Sequence, residues 1–381
     1  MALHIALAAG GTGGHLVPAD ALGQELRARG HHVALITDDR GMAYPGLFEG
    51  ITRHVIPAGR LQGGPLGWIK AWRAIRQGKA AAARLYEGFA PSVVVGFGGY
   101  PILPALMAAH AAKIPTIIHE QNAVLGRVNR MLARKVDIIA TAYPDVKRLA
   151  PSQLGKVELV GNPVRAEVEA LRDQPYPYLS NEGLFRVLVV GGSQGASVLS
   201  KVVPEGLGLL PQGFRQRLQV TQQCRPEDIE TVREAYAKLG IPAELGTYLP
   251  DLPQRLAWTH LVIARAGAST LAELTAAGRP AILVPLPSAT DDHQTANCAE
   301  IVAAGGARMI PQSRFTAIEL GKQMQKLGLE AEALANAATR ARSVGRPGAA
   351  SRLADIVETL ANQHGGDYGR RSLKERRRSY A

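Results

Sequence analysis

Residues able to move a proton and residues able to hold a diphosphate occupy separate stretches of this 381-residue chain. The first stretch is Gly10-Gly11-Thr12-Gly13-Gly14-His15, a glycine turn that ends in an imidazole. A histidine whose ordinary pKa is about 6.5 can accept a hydroxyl proton near neutrality. The second stretch is Ala268-Ser269-Thr270-Leu271-Ala272-Glu273, followed by Asp291-Asp292-His293-Gln294. Small residues at a helix start admit an anion to the backbone N–H groups there. A carboxylate one turn further in can accept both hydroxyls of a ribose. The same Thr270-x-x-Glu273 spacing is also that of a capping box, so a ligand reading and a helix-cap reading both stand. Asp291 and Asp292 read as turn residues rather than a metal pair, His293 as loop-solvated, and His110 and His260 as packing histidines. Cys224 and Cys298 lie far apart with no clustered histidines, which argues against a zinc site or a disulfide framework and fits a reducing cytoplasm.

Each stretch needs a strand tip to present it. Residues 3–9 form an apolar run, the glycine turn follows, a helical pattern runs from about Pro18 to Arg29, and His32 to Thr37 is a second apolar run. Asp38 and Asp39 fall roughly where a dinucleotide fold keeps its ribose-binding acid, but the glycine spacing is not G-x-G-x-x-G. Further apolar runs end at residues 96–101, 119–122 and 161–165. After a loop at 172–183, Phe185 to Val190 leads into a new glycine turn at 191–197, an echo of residues 3–15. Leu261 to Ala264 and Ala281 to Leu286 bracket the second chemical stretch. Strands apolar throughout, alternating with helices, predict an α/β fold with parallel sheets covered on both faces. The expectation is two doubly wound, Rossmann-like domains facing a cleft, at residues 1–161 and 162–364. The last helix can pack back on the first domain, and a basic tail at 365–381 is expected to lack order.

The formal charge is +12, of which the tail carries +4, so the body itself is basic. That excess favours a nucleic acid, a phosphorylated substrate or an anionic lipid surface. Aromatic content of 5% with no basic–aromatic interleaving argues against nucleic acid. No apolar run is long enough to span a membrane, and the N-terminus does not read as a signal peptide. Residues 66–86 are different. At helical spacing Trp68, Ile69, Trp72 and Ile75 share one face and Lys70, Arg73 and Arg84 another. Such a helix can lie on an anionic membrane, or bury its apolar face in a core.

Seven motifs in order, GGTGGH (10–15), GFGGYP (96–101), HEQN (119–122), GNPVR (161–165), GGSQGA (191–196), AGASTLAEL (266–274) and DDHQTAN (291–297), resemble the MurG family of bacterial GT-B glycosyltransferases. The resemblance covers residues 3 to about 360. It implies inverting transfer of N-acetylglucosamine from UDP-N-acetylglucosamine to the C4 hydroxyl of undecaprenyl-diphospho-N-acetylmuramoyl-pentapeptide (lipid I), giving lipid II for the peptidoglycan cell wall. It implies no cofactor or metal, and a peripheral place on the cytoplasmic face of the inner membrane, with other cell-wall or division proteins as further partners. By position it assigns donor contacts to Arg165, Ser193, Leu249, Ala268 through Glu273 (Ala268, Ser269, Thr270, Leu271, Ala272) and Gln294, with Glu273 on the ribose. It assigns Thr12, Gly13, Gly14 and Asn122 to the donor sugar. His15 is the candidate general base, with Glu120 the runner-up, and Trp68, Ile69, Lys70, Trp72, Arg73 and Ile75 are the candidate membrane contacts. A UDP-N-acetylglucosamine 2-epimerase or a natural-product glycosyltransferase on the same architecture, a non-enzymatic anionic-surface binder and a NAD-dependent reductase are the competing readings.

Overall fold

The computed structural model describes residues 2–44, 46–59, 64–180, 182–192, 195–328 and 331–378, without the side chains of 65, 327, 328 and 365–378. The chain forms two compact units, Met1–Pro163 with Gly348–Ala381, and Val164–Pro347. The first is built on seven strands: β1 (His4–Ala8), β2 (His32–Thr37), β3 (Thr52–Val55), β4 (Val93–Gly96), β5 (Thr116–Glu120), β6 (Ile138–Thr141) and β7 (Val157–Leu159). They pair in parallel in the order β3-β2-β1-β4-β5-β6-β7. Leu7 of β1 sits between Leu35 and Val95 of its neighbours. Alternation along β1 feeds two cores. Ile5 and Leu7 pack toward the Gly13–Ala28 helix, while Ala6 and Ala8 pack toward the Gly64–Phe89 and Ile102–Ala111 helices.

The second unit repeats the plan with six strands: β8 (Phe185–Val190), β9 (Leu218–Gln223), β10 (Ala243–Gly246), β11 (Leu261–Ala264), β12 (Ala281–Leu283) and β13 (Ala307–Met309). Their order is β10-β9-β8-β11-β12-β13, again all parallel. Phe185, Val187 and Val189 line one core and Leu188 and Val190 the other.

The last helix packs back on the first unit as expected, but the basic tail and one membrane contact differ from the expectations. The final helix, Ala349–Arg378, belongs to the first unit from its start. Leu353, Val357 and Leu360 enter that unit's core, Arg29 bridges to Asp355 at 2.6 Å, and Arg352 donates to the Val160 carbonyl at 2.6 Å. Its backbone stays helical through the basic stretch expected to lack order, where Arg, Lys, Leu and Glu are good helix formers.

The Gly64–Phe89 helix corrects one membrane contact. Ala71, Ile75, Ala82 and Tyr86 are buried, and Ile75, Ala82 and Tyr86 join the core. Leu66, Trp68, Ile69 and Trp72 stay exposed, from 50% to 77%. The helix thus has two apolar stripes: the spacing of Ile75 with Ala71 and Ala82 puts it on the inner one.

Candidate active site

In both sheets the strand order reverses at one place, between β1 and β4 and between β8 and β11. Crevices beyond the strand ends at such points are where doubly wound sheets bind ligands. In the first unit, β1 runs out into the glycine turn and His15 is the third residue of the helix that follows. The turn from β4 lies directly on it. Gly98 has φ +107°, and a Cβ there would stand 2.6 Å from the His15 ring; at Gly99 (φ +80°) it would stand 2.5 Å from the Gly10 carbonyl oxygen. Only glycine allows that conformation and that approach. Thr12 occupies the extended N-cap position, with no side-chain cap bond, while Gly13 packs under the Tyr44 hydroxyl and Gly14 stands beside Thr12.

Asp38 is engaged within the fold. Its Oδ1 accepts from the N–H groups of Gly11 (3.2 Å) and Gly41 (3.0 Å), so it ties the glycine turn to the end of β2. Burial pushes its carboxyl up, but those N–H groups and Arg40 outweigh burial and hold it below the ordinary value.

The end of β5 carries a hydrogen-bonded chain. His15 Nδ1 meets Gln121 Oε1 at 3.1 Å, Gln121 Nε2 meets His119 Nδ1 at 3.0 Å, and His119 Nε2 meets the Gly161 carbonyl at 2.9 Å. His119 is fully buried and stays neutral. Burial, and then the charge of His15, push its pKa down to about 4 against the pull of the Gly161 carbonyl.

Glu120 beside it is a loop organiser. Oε1 accepts from the Asn122 N–H (3.0 Å) and Nδ2 (3.1 Å), and Oε2 from the Gly126 N–H (2.8 Å) and Asn129 Nδ2 (2.8 Å). Four donors on a carboxylate that is 2% exposed leave little capacity to take a substrate proton, which argues against the runner-up base. The same contacts fix where Asn122 points.

In the second unit the Ala268–Ala277 helix starts at the tip of β11, with extended Gly267 as its N-cap. The first intrahelical bond runs from the Leu271 N–H to the Gly267 carbonyl (3.0 Å). The N–H groups of Ala268, Ser269 and Thr270 precede it and point out of the helix start. The capping-box reading fails, because Thr270 lies inside the first turn. Glu273 reaches Arg165 instead, at 2.8 Å, and both are largely buried. Burial raises the Glu273 carboxyl above its ordinary value while Arg165 opposes it. Leu271 is corrected as a ligand contact: its N–H is bonded to Gly267 and its side chain lies in the core. Ala272 packs against the same core and Ala268 is buried at the helix start.

Gln294, in the first turn of the His293–Ala303 helix, accepts from the Leu286 N–H at 2.9 Å. Leu249 packs partly buried on the core between β10 and the Leu252–Trp258 helix. Ser193 lies outside the described residues. Asp291 and Asp292 have φ +56° and +52°, and Asp292 accepts from the Thr295 hydroxyl at 2.7 Å, as turn residues do. His260 is a packing histidine: fully buried, stacked on Phe185, its pKa pushed to about 4 chiefly by burial. His110 is not, being exposed on its helix.

Sequence reasoning gave no role to Gln121 or Arg265. Arg265 leaves the tip of β11 and donates to the carbonyls of Val284 (3.0 Å) and Pro285 (3.2 Å) and to Gln312 Oε1 (2.6 Å). Burial and the neighbouring Arg225 press its pKa below the ordinary value. A cation held by carbonyls at a strand tip is suited to an anion. Its signal was its place, one residue after an apolar run and two before Gly267.

With this geometry in hand, comparison with known proteins is informative. The N-terminal domain of glycosyltransferase family 28 matches residues 5–141 and the family's C-terminal domain matches 186–360. A UDP-N-acetylglucosamine–N-acetylmuramyl-(pentapeptide) pyrophosphoryl-undecaprenol N-acetylglucosamine transferase of Zymomonas mobilis is 64% identical over 93% of this chain and 92% of its own. The protein of that name from Novosphingobium aromaticivorans is 64% identical over 94% and 92%. Among solved structures, Acinetobacter baumannii MurG is similar with a TM-score of 0.71 at 28% identity, covering 94% of this chain and 99% of its own.

Proposed function

The chain belongs to glycosyltransferase family 28 and, within it, to the MurG transferases; from that premise we propose how its residues divide the transfer of N-acetylglucosamine from UDP-N-acetylglucosamine to lipid I. The activity rests on one observation, identity of 64% across nine-tenths of a transferase of that name. The division of labour rests on the two strand tips.

The second unit holds the donor. The helix start at Ala268–Thr270 and the Arg265 guanidinium meet the diphosphate, where negative charge grows as the leaving group departs. Glu273, steadied by Arg165, accepts the ribose hydroxyls. Gln294 reads the sugar, Leu249 lies against the base, and Ser193 meets the diphosphate. The first unit handles the acceptor. His15 Nε2 takes the proton of the C4 hydroxyl as that oxygen attacks C1 of the sugar. The C1–oxygen bond to the β-phosphate breaks with its electron pair on UDP, and configuration at C1 inverts. Thr12, Gly13, Gly14 and Asn122 shape the space beside His15.

Among the described residues no helix is long and apolar enough to cross a membrane. The lipid-linked acceptor is met by the outer stripe of the Gly64–Phe89 helix, Leu66, Trp68, Ile69 and Trp72, on the cytoplasmic face. Exposed Lys70 and Arg73 flank it, and Arg76 covers the Trp72 ring at 4.7 Å. Each basic group adds ~1 kcal/mol on an anionic surface.

Transfer of labelled sugar from UDP-N-acetylglucosamine to lipid I, with a chelator present, tests the reaction. Labelled lipid II is expected; donor turnover without acceptor would point to an epimerase instead. For the surface, Trp68→Ala with Trp72→Ala should abolish co-sedimentation with vesicles of anionic phospholipid while transfer to a short-chain soluble acceptor persists. Unchanged sedimentation would remove the helix from the membrane.

A further inference from the structure

The chain from His15 to Gly161 has a direction, and the direction sets which nitrogen of His15 can accept a proton. It begins at a group whose role is not in doubt. The Gly161 carbonyl can only accept, so His119 Nε2 must carry its hydrogen. A neutral imidazole then presents a bare lone pair at Nδ1, and burial keeps His119 neutral. Gln121 must therefore turn its NH2 group toward His119 Nδ1 (3.0 Å).

The orientation of that amide is fixed a second time. The same Nε2 lies 2.7 Å from the Phe97 carbonyl and 3.1 Å from the His119 carbonyl. A flipped amide would set oxygen against two carbonyl oxygens and a lone pair, three repulsions in a buried pocket. Gln121 is 1% exposed, so water offers no relief. Gln121 Oε1 is thus aimed at His15 Nδ1 and can only accept from it (3.1 Å).

We propose that Gln121 and His119 are positioning residues that hold His15 in the Nδ1–H tautomer, leaving Nε2 as its proton-accepting atom. Gly98 completes the hold, because the face of the ring lies where a side chain at that position would be. The Nδ1–H bond to Gln121 survives when Nε2 takes its proton, so no rearrangement accompanies the transfer. A neutral carbonyl fills the place that a carboxylate fills in a Ser-His-Asp triad, orienting the ring without adding a charge. This inference rests on His15 being the base only for its catalytic consequence; the tautomer stands independently.

Ring nitrogen shifts in protein labelled with 15N-histidine read the tautomer directly. The His15 signals are those lost in His15→Ala. In the unaltered chain they should show a protonated Nδ1 and a bare Nε2, and His119 the reverse. Gln121→Met, similar in shape with no donor and only a weak thioether acceptor, should release the preference. It should lower kcat about 10- to 100-fold, part of what a general base contributes, with KM for UDP-N-acetylglucosamine within about twofold. A merely structural role would alter KM or thermal stability while leaving the ring shifts in place. A His15 found with hydrogen on Nε2 in the unaltered chain, or ring shifts that Gln121→Met does not move, overturns the proposal. The expected tautomer in a protein whose His15→Ala variant still turns over would instead overturn His15 as the base and leave the inference intact.

Discussion

The tips of the two sheets have the same topology and opposite chemistry. Around the tips of β1 and β5 lie imidazoles and amides, His15, Gln121, His119 and Asn122; the buried acid Glu120 is occupied by four donors, and Asp38 is held by the Gly11 N–H and Arg40. At β8 and β11 lie ions and a helix dipole: Arg265 on carbonyls, Arg165 on Glu273, and the start of the Ala268–Ala277 helix. One tip can exchange a proton without moving charged groups. The other carries the ions and the helix start that can bind a charged ligand. One fold was furnished twice, with different chemistry at the two tips.

The largest way to break that contrast is kinetic. His15→Ala should lower kcat ~10²- to 10⁴-fold with UDP binding nearly unchanged. Glu273→Ala should do the opposite, raising KM for the donor far more than it lowers kcat. Steady-state kinetics with both variants check the crossover. If both act on KM, the tips share one role and the division fails.

Stability should separate them next. Glu273→Ala leaves Arg165 buried without its carboxylate, which costs ~3–5 kcal/mol for such a pair. The His15 ring is only partly buried, so its loss should cost much less. Urea unfolding of both variants tests the order; equal midpoints would show that the Arg165–Glu273 pair contributes nothing to the fold.

What the sequence disclosed follows the same line. Strand tips were readable, because glycine turns after apolar runs mark them, and the structure sets His15 and Glu273 in the helices that begin at two of them. Burial was not readable. Glu120 looked like a base because nothing in HEQN says that four donors converge on it. Leu271 and Ile75 were read by neighbourhood, and each turned inward because its register, one turn from other core residues, put it there. Gln121 stood inside a quoted motif with no role, since an amide acts here only through the two histidines it joins, and one of those is 106 residues away.

A smaller effect is acid sensitivity. His119 in the native first unit resists protonation until about pH 4, whereas an unfolded chain takes that proton near 6.5. Its contribution is therefore complete above pH 6.5 and lost as pH falls toward 4, up to ~3 kcal/mol. His260 in the second unit, also pushed to about 4 chiefly by burial, works in the same direction. Unfolding midpoints at pH 7 and pH 5 should fall for the unaltered chain and fall less for His119→Phe. Identical losses would mean that His119 takes its proton without opening the fold.

The smallest effect lies within one helix and contrasts its two stripes. Ile75→Val removes one methyl from a packed core and should cost ~0.5–1.5 kcal/mol. Trp72→Ala removes a far larger side chain that is 57% exposed, and away from core features such changes stay within about 0.5 kcal/mol. The Arg76 guanidinium over that ring adds little at an exposed site. Vesicle binding should reverse the ranking, with Trp72→Ala weakened and Ile75→Val unchanged. A helix whose outer tryptophan mattered more to unfolding than its inner isoleucine would have its stripes assigned the wrong way round.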